Sequence, residues 1–261
     1  MNILEKIARY KVREVKERKK TLPGEKLREI PGFDRPVRSL SAALLDKDAS
    51  GIIAEFKRRS PSKGDFHPNA QAEKIIPAYE SAGASACSIL TDEPFFGGSL
   101  RDISGVRTLV NLPVLRKDFI IDPYQVFETK AAGADAILLI AAILEKKRII
   151  YFSQLAADLG LETLLEIHDE SELQKIVSGV SLIGINNRNL KTFRVDIRTS
   201  LTLGPQIPEP FPKVAESGIS GVENIQTLHK AGFRGFLIGE YFMQSENPAA
   251  RCKELVNQLK A

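Results

Sequence analysis

From Ile52 onward the chain alternates short apolar runs with longer helix-like stretches, eight times in succession. No other feature restricts the fold as much. The apolar runs are 52–57, 86–90, 113–117, 135–140, 162–167, 182–186, 212–216 and 235–239. The stretches after them read as helices over 70–82, 99–110, 123–132, 144–159, 169–178, 196–203, 220–231 and 247–260. Glycines at 83, 133, 160, 179 and 232 stand where a helix C-cap needs one. Runs that are apolar throughout are buried on both faces, as in parallel strands covered by helices. Eight such units in 261 residues predict a closed (β/α)8 barrel, the α/β TIM-barrel class. An open doubly wound sheet is the runner-up, but no glycine fingerprint follows the first strand.

About residues 1–50 precede the alternation. Ile3, Leu4, Ile7, Val12 and Val15 are spaced for an amphipathic helix over 2–20. Such a helix either plugs an apolar barrel end or helps to cover a site. Pro23-Gly24, Pro31-Gly32 and Pro36 make 21–50 irregular, apart from a short helix near 41–45. This segment is too short for a core of its own, so residues 1–261 read as one barrel domain with an N-terminal helical extension.

The net charge of +4 comes without a basic stripe or interleaved aromatics, which argues against nucleic acid as a partner. Cys87 and Cys252 read as two reduced thiols in a cytosolic protein. No Cys/His spacing suggests a metal. No apolar run is long enough to span a membrane, and 1–20 lacks the apolar core of a signal peptide.

In barrels of this kind chemistry sits at the C-terminal ends of the strands. Glu55 and Lys57 close the first strand and Lys117 the third. Glu166, Asn186 and Glu216 close the fifth, sixth and seventh. Each lies two residues after an apolar or small one, so all share the inward face. One buried charge is costly; two lysines and three glutamates in one cavity can offset each other. A barrel that served only as a core would place Val, Ile or Leu there.

Ser217-Gly218 follows the seventh strand and Gly239-Glu240 the eighth, the usual place for a phosphate cradle. Phe95-Phe96 in a glycine-bearing loop suit an aromatic ligand ring. Arg188, after the sixth strand, can grip a carboxylate with both arms of its guanidinium. Ser60-Pro61-Ser62-Lys63-Gly64 is expected to break regular structure.

The segments AEFKRRSPSKG, SILTDEPFFGGS, VLRKDFIID, LLEIHDE, GINNRNLKTF, VAESGI and FLIGE resemble, in order, the motifs of the indole-3-glycerol phosphate synthase family. The likeness runs over about residues 40–245, and the leading helix fits as well. It implies conversion of 1-(2-carboxyphenylamino)-1-deoxyribulose 5-phosphate to indole-3-glycerol phosphate, CO2 and water, without cofactor or metal. It also implies roles. Lys117 is the acid for ring closure, and Glu55 with Lys57 serve dehydration, Lys57 also touching the phosphate. Glu166 stabilises a cationic intermediate or orients Lys117. Asn186, Glu216 and Ser217 position hydroxyls and lysines. Arg188 holds the anthranilate carboxylate, and Pro61, Phe96, Phe119 and Leu190 line the ring pocket beside Ser60. Gly218, Gly239 and the backbone of Glu240 face the phosphate, with the Glu240 carboxylate turned away. Asn189 departs from the family's aspartate, and Glu240 from the serine of some members. The partner expected is a small phosphorylated molecule, taken up by a monomer or weak homodimer. Two other classes compete: a sugar-phosphate isomerase barrel, which would want a cysteine or aspartate pair at strand ends, and a catalytically silent phosphate-binding barrel.

Overall fold

The computed structural model describes residues 3–190 and 192–260. The eight apolar runs close into one barrel of parallel strands in sequential order. They are β1 (Ile52–Phe56), β2 (Ala86–Leu90), β3 (Val114–Lys117) and β4 (Ala136–Ile140). β5 (Glu162–Ile167), β6 (Leu182–Asn186), β7 (Lys213–Glu216) and β8 (Phe233–Ile238) complete it. Every strand lies within two residues of its expected bounds, and the helix over Pro123–Ala132 matches at both ends.

Strand parity sorts the core into two shells. Ile53, Leu115, Leu164, Val214 and Leu237 pack together inside the barrel. Ala54, Val114, Leu165, Ile183 and Ala215 pack outward with the helices. Each Val, Leu or Ile side chain among them removed from water contributes roughly 1.5–3 kcal/mol. The residues two positions beyond Ile53, Leu115, Leu164 and Val214 are Glu55, Lys117, Glu166 and Glu216, so the site is the next layer above the inner core.

The extension closes both mouths. α1 (Ile3–Thr21) lies over the C-terminal mouth, where Ile3, Leu4 and Ile7 line the cavity. The expected helix began at residue 2, which lies outside the described residues. The helix Leu40–Leu45 lies at the opposite mouth: Leu44 approaches Gly235, and Ser39 and Ser41 hydrogen-bond Glu162 at the start of β5. The same Ser39 caps its helix by accepting from the Ala42 N–H.

Four expectations are corrected. Val12 is exposed, and Lys11 takes the buried place between Ile7 and Val15. The stretch 169–178 is a 3-10 turn over Glu170–Lys175, and Gly179 is not a left-handed cap. Asp169 caps that turn, but the chain is extended again by Ile176, before an α-helix can propagate. Residues 60–64 are not wholly irregular: Arg59–Ser60 pairs antiparallel with Gly64–Asp65, and Gly64 takes a positive φ of 74°. The extension is also less irregular than expected, with a helical turn at Gly24–Leu27.

Candidate active site

The C-terminal mouth opens into a cavity of about 510 Å³. All sixteen residues singled out from the sequence line it. Glu55, Lys57, Lys117, Glu166, Asn186, Glu216 and Ser217 come from strand ends. Ser60, Pro61, Phe96, Phe119, Arg188, Leu190, Gly218, Gly239 and Glu240 come from the loops above them or the short helix at Glu93–Phe96, and Glu240 opens the helical turn Glu240–Met243.

Two lysine–carboxylate groups stand in this cavity. Lys57 Nζ is 2.7 Å from Glu55 Oε1. Lys117 Nζ is 3.0 Å from Glu166 Oε2 and 3.4 Å from Glu216 Oε2. Burial opposes the Lys117 charge, but Glu166, Glu216 and Glu55 outweigh it and hold the ammonium well above its ordinary value. Burial likewise pushes both glutamates up. Lys117 and His168 overcome this at Glu166, whose carboxyl lies well below the usual range. At Glu216 burial and the Glu166 charge prevail over Lys117, so its carboxyl is raised. The two carboxyls are thus pushed in opposite directions, Glu166 toward the ionised form and Glu216 toward the protonated one.

Two glycines make room for this layer. A Cβ at Gly184, on β6 beside Glu166 and Val214, would collide with Glu216 Oε1. A Cβ at Gly239 would collide with Glu55 Oε1. Gly239 therefore has a role in seating Glu55, whatever its loop binds. Ser217 and Gly218 are consecutive left-handed residues after β7, at φ 66° and 74°. Their turn is tied to the loop after β6, because Asn187 donates to the Ser217 carbonyl and accepts from Ser200.

Arg188 Nη2 lies 3.0 Å from Glu240 Oε2, and Lys63 Nζ is 3.7 Å from Glu240 Oε1. The Glu240 carboxylate thus faces two cations from two other loops. The Phe96 and Phe119 rings are tilted, 6.1 Å apart, on the apolar side of the cavity. Phe95 is turned away from it, edge-on to Tyr10 of α1. Cys87 is buried among outward-facing core residues and offers no acid or base to the cavity. No group of His, Cys, Asp and Glu able to hold a metal ion occurs among the described residues.

The sequence reading missed two features. His168 approaches Glu166 and Glu172; its signal was the same two-residue step beyond Glu166. The seat of α1 was missed as well. Lys11 is fully buried, with Nζ 2.6 Å from Glu14, 2.9 Å from Asp92 and 2.9 Å from Asp118. Asp118 also meets Arg116, which reaches Glu128, and Glu128 meets Arg18 of α1. A chain of buried charges therefore fastens the extension to the loops after β2 and β3. One of those loops begins beside Lys117.

Comparison with known proteins gives a consistent result. The family model described as indole-3-glycerol phosphate synthase matches residues 4–255. An indole-3-glycerol phosphate synthase of Bacteroides thetaiotaomicron is 51% identical over 260 residues, covering 100% of this chain and 98% of that one. One of Neisseria meningitidis serogroup C is 44% identical, covering 97% of this chain and 99% of its own. Among solved structures, 3-hexulose-6-phosphate synthase from Salmonella typhimurium superposes with a TM-score of 0.63 at 13% identity, over 80% of this chain and 98% of its own. The tryptophan synthase complex of Pyrococcus furiosus gives 0.60 at 15% identity, over 80% and 97%. These two share the barrel fold.

Proposed function

This chain belongs to the indole-3-glycerol phosphate synthase family, and from that premise we propose how its residues carry the reaction. The enzyme closes the indole ring of 1-(2-carboxyphenylamino)-1-deoxyribulose 5-phosphate, with loss of CO2 and water. The ring carbon bearing the carboxylate attacks the C2′ carbonyl. The new C–C bond pushes the carbonyl electrons onto oxygen, and Lys117 gives that oxygen a proton. The aromatic ring is now cationic, and Glu166 offsets that charge. Loss of CO2 returns the C–C bonding pair to the ring. Lys57 then protonates the departing hydroxyl, and Glu55 takes the proton whose loss restores aromaticity. Asn186, Glu216 and Ser217 position these groups.

The single observation that carries this scheme is the Lys117 ammonium between Glu166 and Glu216, in the same cavity as the Lys57–Glu55 pair. Arg188 holds the anthranilate carboxylate, taking it in place of Glu240. Pro61, Phe96, Phe119 and Leu190 sandwich the ring, with Ser60 at the rim. Gly218, Gly239, the Glu240 backbone and Lys57 receive the phosphate. Residues 1–261 act as one domain, and the free buried thiols of Cys87 and Cys252 suit a reducing cytosol. No helix among the described residues is long and apolar enough to cross a membrane.

The test is direct. Purified protein given the carboxyphenylamino substrate should release the indole product and CO2 in equal amounts. Isomerisation of a sugar phosphate without CO2 would sink the reading. Arg188→Lys keeps the charge but loses the planar fork. It should raise KM roughly tenfold, the cost of one lost charge-assisted hydrogen bond, with a smaller change in kcat. Steady-state kinetics at one pH check this, and an unchanged kcat/KM rules Arg188 out as the carboxylate partner.

A further inference from the structure

The scheme leaves one buried titratable group beside the reacting centre unused. His168 follows Glu166 by two residues, and its side chain is 8% exposed. Its Nε2 lies 3.1 Å from Glu166 Oε1, and its Nδ1 lies 3.4 Å from Glu172 Oε2. A neutral imidazole carries a single N–H, whereas ionised carboxylates only accept. Two carboxylates facing the two ring nitrogens therefore suit the doubly protonated ring. Glu172 is itself fixed, since its Oε2 accepts the His168 backbone N–H at 2.7 Å. Glu166 is gripped from both sides, Oε1 toward His168 and Oε2 toward Lys117 Nζ at 3.0 Å. The titratable groups facing this set from neighbouring strands include Glu216, 3.4 Å from Lys117, and Glu55, which also acts on the Lys117 charge.

We propose that His168 is a positioning residue of the reaction: its imidazolium, clamped by Glu172, keeps Glu166 ionised and turned toward Lys117. The inference rests on the role given to Glu166 above. Its chemical point lies in the moment after ring closure. Lys117 has then handed its proton to the alkoxide, and Glu166 has lost the cation that held its charge. A lone buried carboxylate would take up a proton, with Glu216 the near source. The His168 cation keeps Glu166 anionic through that interval, when a cationic ring needs an anion beside it. Burial works against the imidazolium, but Glu166 and Glu172 overcome it and raise its pKa to about 9, so it is charged at neutral pH.

The test compares kcat and KM separately at pH 7.5 for the unmodified enzyme, His168→Asn, Glu172→Gln and Glu166→Gln. Circular dichroism reports on folding, and nitrogen-15 spectra of the unmodified enzyme report on the ring. Without the imidazolium Glu166 is free to take up a proton after ring closure, so His168→Asn should lower kcat about tenfold, the equivalent of about one pKa unit at Glu166, with little change in KM. Glu172→Gln should lower kcat less, again with little change in KM. The His168 ring should carry protons on both nitrogens at pH 7.5. A neutral ring overturns the proposal, as does an unchanged kcat in a folded His168→Asn. Should that variant fail to fold, Glu172→Gln and the ring spectrum decide the matter by the same criteria. Full activity in Glu166→Gln is a different result: it removes the role of Glu166 itself, and with it the need for His168.

Discussion

Lys117→Ala should lose kcat by about 10²–10⁴-fold while KM changes little, which is the usual worth of a positioned proton donor. The argument starts from charge. Lys117 lies between Glu166 and Glu216, and its ammonium is held well above its ordinary pKa. Such a lysine is protonated at neutral pH. It arrives at the alkoxide already carrying the proton to be transferred, and it lacks the free electron pair needed to attack a ketone. The competing chemistry, an imine between Lys117 and the substrate carbonyl, is therefore disfavoured by the same two carboxylates. Borohydride added during turnover should leave no mass shift on the Lys117 peptide. A reduced adduct there would overturn the assignment. The variant should still fold, because Glu166 keeps His168 as a partner and burial already pushes the Glu216 carboxyl up, toward its neutral form.

Lys11→Met should cost ~3–5 kcal/mol, the penalty for leaving buried carboxylates without their cation. Lys11 has no exposure, and Asp92, Asp118 and Glu14 all converge on its Nζ. Burial disfavours the lysine charge, but these three carboxylates outweigh it and raise the pKa. Once the cation is gone, Asp118 retains Arg116 and Thr91, whereas among the described residues the Asp92 side chain retains the Phe95 backbone N–H alone. Burial already raises the Asp92 carboxyl with Lys11 in place, and without it the rise is larger. The sign of the pH effect follows. A carboxyl whose folded pKa exceeds its unfolded value binds protons more readily when folded, so it destabilises as pH rises through that interval. The deficit of Lys11→Met should be full at neutral pH and shrink as the pH falls toward the ordinary aspartate range. Urea unfolding at several pH values checks this, and a midpoint equal to that of the unmodified protein would contradict it. Hydrogen exchange in α1 should quicken as well. Because Ile3, Leu4 and Ile7 line the cavity, KM should rise in parallel.

The barrel and its inner layer were legible because both rest on a local rule. A strand buried on both faces is apolar throughout, and side chains two apart share a face, so Glu55, Lys117, Glu166 and Glu216 pointed inward on sequence alone. Contacts between distant segments were not legible. Lys11 sits at helical spacing from both Ile7 and Val15, yet a lysine in such a stripe ordinarily reads as solvent-facing. The partners that bury it are Asp92 and Asp118, and nothing near Lys11 announces them. The Arg188–Glu240 pair is hidden in the same way, since it joins two loops far apart in the chain. The 3-10 turn at Glu170–Lys175 escaped for a different reason. Its composition suits an α-helix, and only the early extended residue at Ile176 cuts it short.

Gly184 and Gly239 carry a lesson for anyone wishing to move this chemistry onto another barrel. A graft that copied only the acids and lysines would fail, because most barrels carry a branched side chain at the matching places on neighbouring strands. The incoming Glu216 and Glu55 carboxylates would find those volumes filled. Each acid must travel with the empty space beside it, so the transferable unit is a residue pair drawn from two strands. The same reasoning makes the two glycines poor targets for rigidifying the enzyme by alanine replacement, however favourable the backbone entropy.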